Sequence, residues 1–230
     1  MRAGTLWLMV LAMGLYQGCN PPMGWLPTLA RGLETGAKWP PLSVAVVYAL
    51  GHFLAIAAVL APVALAFALA LPDPAPLMPA IGAGLVGFGL YKLWRPRHPR
   101  FLARIPPRRS LRWSFLMSLC HCGAPLMMLA TLVNLIWLEP VYFRLRLGVM
   151  PRLGHDLGAA LLLALVMSAA LLAASGAIAI TLSRRLGLAA LGRLWINFDL
   201  PWAVAFIAMG TMALLMGEPA FAALCGLAAR

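Results

Sequence analysis

Six apolar stretches, at residues 6–30, 42–71, 78–94, 113–138, 157–182 and 194–216, divide the chain. A helix needs roughly 20 apolar residues to cross a hydrocarbon layer, and these stretches match or approach that length. Backbone in lipid must satisfy its own polar groups, so the pattern predicts an all-α integral membrane bundle of six transmembrane helices. Charge content agrees. With 63% hydrophobic and 10% charged residues among 230, the chain lacks the polar side chains to cover a water-soluble core. A single transmembrane domain over residues 1–230 is expected.

Two of the stretches resemble each other. QGCNPPMGWL at residues 17–26 aligns without a gap on CHCGAPLMML at 120–129, setting Cys19 over Cys122, Pro22 over Pro125 and Leu26 over Leu129. They belong to spans one and four, and spans two and five are both rich in Ala and Leu. An odd number of spans per copy makes the second copy enter from the opposite side, which is inverted-repeat geometry. Repeat one is expected at about 5–95 and repeat two at about 113–217. The basic segment 92–112 joins them, and Gly82, Gly84, Gly87 and Gly89 in span three predict close backbone packing.

Orientation follows from Lys and Arg. Segment 92–112 carries Lys92, Arg95, Arg97, Arg100, Arg104, Arg108, Arg109 and Arg112. With Arg31, Lys38, Arg184, Arg185 and Arg193 it belongs on the cytoplasmic side, where short basic loops stay. Both termini then face the exterior or periplasm of a bacterial cytoplasmic (inner) membrane. The net charge of +12 sits largely in this one segment, without a nucleic-acid-binding module. Anionic lipid headgroups are its expected partner, and no nucleic acid is. Tyr16-Gln17-Gly18-Cys19 loosely resembles a lipoprotein cleavage site, but apolar character continues through Met23, Trp25 and Leu29, so an uncleaved span is expected.

Pro21-Pro22 and Pro125 break helices one and four. Each proline removes a donor and clashes with the carbonyl four residues earlier, freeing carbonyls near Gly18 and His121. Such breaks persist where protein or a wet cavity satisfies them, and in inverted repeats they meet as a binding site. Asn20 lies beside the first break; Asp199, ahead of Pro201, is a candidate coupling residue or a helix cap. His52 and His121 fall within spans two and four, where ionisable groups face a cavity or a partner. His155 is expected in a loop, and Asp156 at the exterior start of span five. With Cys19 and Cys122 the two histidines make a mixed nitrogen and sulfur set, suited to zinc, copper or nickel as a transported ion. No phosphate loop, hydrolase triad or metalloprotease motif is present.

The six-span layout, Leu50-Gly51-His52 in span two, and a cysteine-x-x-proline element in spans one and four together resemble the lysine-exporter superfamily. That superfamily includes nickel/cobalt exporters and the thiol-redox transporters of cytochrome c biogenesis. Leu15 to Met23 is similar to the exporters' first-helix element, with Asn20-Pro21 at its aspartate-proline and Gln17 at its leading histidine. Cys19-Asn20-Pro21-Pro22 and Cys122-Gly123-Ala124-Pro125 resemble the thiol transporters' cysteine pair. This second likeness implies that Cys19 and Cys122 alternate between dithiol and disulfide, fed by a thioredoxin-like partner. Two main readings result: a secondary transporter of a small cation, or a thiol-disulfide electron carrier. A non-transporting scaffold, alone or self-associated, also fits the composition.

Overall fold

A computed structural model describes residues 3–37, 39–70, 77–95, 110–120, 123–137, 148–185 and 199–215. Among them every regular element is helical: α1 (Ala3–Cys19), a 3-10 turn (Pro21–Met23), α2 (Trp25–Glu34), α3 (Leu42–Ala70), α4 (Leu77–Trp94), α5 (Ser110–Cys120), α6 (Ala124–Trp137), α7 (Val149–Arg185) and α8 (Asp199–Leu215). The helices lie where the apolar stretches lie. By length and composition α3, α4 and α7 can each cross a membrane, and α5 with α6 makes a fourth candidate, bent by 61°. The apolar helices α1 and α8 are shorter.

Side chains are distributed as lipid requires. Leu50, Leu54, Leu65 and Leu69 of α3 and Leu161, Leu162 and Leu165 of α7 are exposed, while Ala45, Ala49, Ala64, Ala160 and Ala164 of the same helices are buried. In water that surface would be an aggregation hazard; against acyl chains it is neutral, and the small inner residues let backbones approach.

Glycine sets the closest approaches. A Cβ on Gly14 would lie 2.5 Å from the Met167 carbonyl oxygen, and one on Gly18 2.5 Å from that of Leu171, so α1 rests directly on α7. Four residues along α1 correspond to four along α7, which makes the two helices parallel. Gly82 meets Gly210 and Leu214, whereas Gly89 meets Ala203 and Ile207, so α4 and α8 are antiparallel and in backbone contact. Gly84 only reaches Leu126 at 3.8 Å and Gly87 has nothing within 4 Å, so two of the four span-three glycines do the packing. The helix period explains the split: Gly82 and Gly89 are two turns apart on one face.

Helix α3 is the shared neighbour, packing on α5, α6 and α7. The Ser114 hydroxyl donates to the Tyr48 carbonyl at 2.6 Å, and Ser118 meets His52 one turn later on both helices, so α3 and α5 are parallel. Leu42 reaches Gly176, while Arg184 stacks over Trp39 just before α3 at 4.3 Å; α3 and α7 are thus antiparallel.

The start of α7 departs from the sequence expectation. It begins at Val149, about two turns before the apolar run. His155 and Asp156 therefore lie inside a helix and not at its margin. Asp156 is fully buried, Arg152 nearly so, and His155 Nδ1 is 3.1 Å from Asp156 Oδ1. Pro151 suits the first helical turn, where a missing amide proton leaves no bond unmade.

Candidate binding site at the two helix breaks

The first break is held by its own backbone and one indole. Beyond Cys19 the chain tightens: Asn20 N donates to the Gln17 carbonyl at 3.0 Å and Met23 N to the Asn20 carbonyl at 3.0 Å. The Trp25 indole donates to the Cys19 carbonyl at 2.9 Å. Carbonyls expected to be free near Gly18 thus include several that protein groups satisfy. Gly24 turns the chain with φ +150°, and its place beside Ser175 and Tyr48 leaves little room for a side chain.

At the second break Gly123 has φ +57° and α6 starts at Ala124, which puts Pro125 in the first turn. There a proline costs no hydrogen bond. The kink at this end therefore rests on the left-handed glycine, with the proline starting the next helix.

Two chains of contact connect these breaks. On one side is the Tyr48–His52 turn of α3, with Gly24 against Tyr48 and the last turns of α5 hydrogen-bonded to Tyr48 and His52. On the other is an aromatic row. A Cβ on Gly123 would strike Phe206, whose ring stacks on Trp202 with centroids 5.4 Å apart. Trp202 in turn meets Tyr16, in the last turns of α1, edge-on at 4.9 Å.

On α1, α3, α7 and α8, polar atoms are buried without partners among the described residues. They are both amide atoms of Gln17, His52 Nε2, Tyr16 OH, Trp202 Nε1 and Ser168 Oγ. Buried polar groups are normally paired, and each unpaired one in hydrocarbon costs several kcal/mol. Each is a group that a water or a polar ligand satisfies.

Of the residues singled out from sequence, Cys19, Asn20, Pro21, Pro22, His52 and Pro125 lie at or beside this region. Cys19 is a half-buried free thiol, Asn20 is buried beside the first break, and His52 is fully buried. His121 and Cys122 lie outside the described residues, as does the side chain of Asp199, which begins α8. No three His, Cys, Asp or Glu side chains gather among the described residues.

Gln17, Ser118 and Trp202 were not among the candidates. Gln17 had a signal: it continues the inward row Leu6, Val10 and Gly14 at helical spacing. Ser118 had none, because its role depends on α5 lying against α3.

Compared with known proteins, the chain matches no family model, no curated protein and no solved structure.

Proposed function

We propose that the protein is a secondary membrane transporter of a small cation, working by alternating access where the broken helices one and four approach each other. One observation carries this reading: the Gln17 amide and His52 Nε2, beside the two breaks, are fully buried and have no partner among the described residues. His52 is suited to a cation when its Nδ1–H donates to Ser118 Oγ, which leaves the Nε2 lone pair free. Zinc, copper or nickel fits such a nitrogen donor, with Cys19, His121 and Cys122 as further ligands.

The helix directions support six crossings in two inverted repeats. Counting α1 with α2 as span one and α5 with α6 as span four, strict alternation requires span one parallel to five, two parallel to four, two antiparallel to five and three antiparallel to six. All four relationships occur. Exchanging the repeats maps the α1–α7 contact onto α3–α5, and α2–α7 onto α3–α6. Trp39 under Arg184 and Trp94 beside Arg95 fit an interface with anionic headgroups on the cytoplasmic side.

Flux of nickel, cobalt, zinc and copper(I) into proteoliposomes tests the proposal. Protein-dependent uptake of one of these is expected, reduced about tenfold by H52A or Q17A, the loss of one charge-assisted contact. Uptake equal to protein-free vesicles for the whole series would refute it.

The half-buried free thiol of Cys19 at the end of α1 favours a second reading, a thiol-disulfide electron carrier with Cys122. Titrating free thiols in protein purified with and without reductant separates the two: a reducible Cys19–Cys122 bridge belongs to the carrier alone.

A further inference from the structure

Away from the breaks, α1, α4, α6 and α8 line a half-open cavity of about 40 Å³. Its lining includes four methionines, Met9 of α1, Met78 of α4, and Met209 and Met212 of α8, with Thr131 and Asn134 of α6. One water needs roughly 10–15 Å³ by the same measure, so a bare ion fits. Met209 and Met212 are three residues apart and share a helix face. Asn134 Nδ2 lies 3.8 Å from Met78 Sδ and 2.8 Å from the Ala130 carbonyl, which fixes the amide against the thioether. Met78 is buried and Met212 exposed, so the methionines run from the core to the surface.

We infer that this cavity binds a soft monovalent metal cation, of the copper(I) or silver(I) class, through thioether sulfurs. Thioethers select copper(I)-type ions over harder metals. Among the described residues no carboxylate or thiol lines the cavity, so a divalent ion would keep its full charge there in a medium of low dielectric; the desolvation penalty rises with the square of the charge. Methionine also has no proton to lose on binding, unlike cysteine or histidine. The cavity lies where α1 and α4 begin and α8 ends. This is the exterior side on the transport reading, on which the inference rests for that placement alone, and a soft ion passing the breaks would meet these sulfurs next.

Silver(I), which needs no reductant, is the probe. The full chain, purified in lipid nanodiscs with its cysteines alkylated, is titrated calorimetrically with silver nitrate and in parallel with zinc. One silver site is expected, with silver–sulfur scattering in X-ray absorption and no zinc bound with it. M78L/M209L and M9L/M212L conserve volume, so both should unfold as wild type does. Each is expected to weaken silver by at least about tenfold. Failure of the alkylated protein to bind silver, unchanged affinity in both variants, or equal zinc affinity at the same site would overturn the inference. Silver held undiminished by both variants but lost in H52A would place the ion at the breaks; the inference would fall and the transport reading would stand.

Discussion

His52 Nδ1 stands 2.8 Å from Ser118 Oγ in the buried core, joining α3 to the last turn of α5 across 66 positions of sequence. Removing one partner of a buried pair leaves the other desolvated, whereas removing both with apolar groups is nearly neutral. S118A should therefore destabilise the detergent-solubilised protein by about 1–3 kcal/mol, and H52L/S118A should recover most of that loss. Thermal unfolding of the two variants checks the sign; a double variant worse than the sum of its singles would contradict the pairing.

Gly18 offers a test of the α1–α7 contact. A methyl group there would sit 2.5 Å from the Leu171 carbonyl oxygen and 2.6 Å from Ala174 Cβ, and neither is the tip of a flexible side chain. G18A is expected to lose about 1–3 kcal/mol through overpacking. G158A, in α7 with nothing within 4 Å, should be neutral or gain up to about 1 kcal/mol from helix propensity. Chemical unfolding of both proteins in mixed micelles gives the comparison.

Much of this architecture was legible in the residues. Apolar runs located the helices because lipid imposes one solution on buried backbone. Cys19 to Pro22 and Gly123 to Pro125 marked both interruptions. Three features were not legible. The extra turns at the start of α7 read as polar loop, since Arg152, His155 and Asp156 look solvated until α7 carries them into the protein. The hydrogen bonds of Ser114 and Ser118 require the pairing of helices far apart in sequence. The choice of Gly82 and Gly89 over Gly84 and Gly87 depends on which face α8 covers.

Gly123 combines two demands, a left-handed backbone and space for Phe206. A Cβ would lie 2.5 Å from Phe206 Cζ, and a left-handed alanine adds about 1–2 kcal/mol of backbone strain. G123A should be among the most damaging changes at this end. Introducing F206L relieves the clash but not the strain, so the double variant should be less destabilised than the sum of its singles by at least about 0.5 kcal/mol. A double-mutant cycle on unfolding free energies decides it.

The Trp25 indole seals the Cys19 carbonyl, so W25F should loosen the end of α1. The expected cost is about 1–3 kcal/mol for a polar group left unpaired. In a background with Cys120, Cys122 and Cys225 changed to serine, maleimide should label Cys19 faster in W25F than in the parent. Equal labelling rates would show that the indole does not govern access to this thiol.

One helix touches both interruptions. Because Tyr48 abuts Gly24 and His52 holds Ser118 within a single turn of α3, any sliding of that rod along its axis displaces both junctions in the same stroke. The two junctions are mechanically ganged through α3.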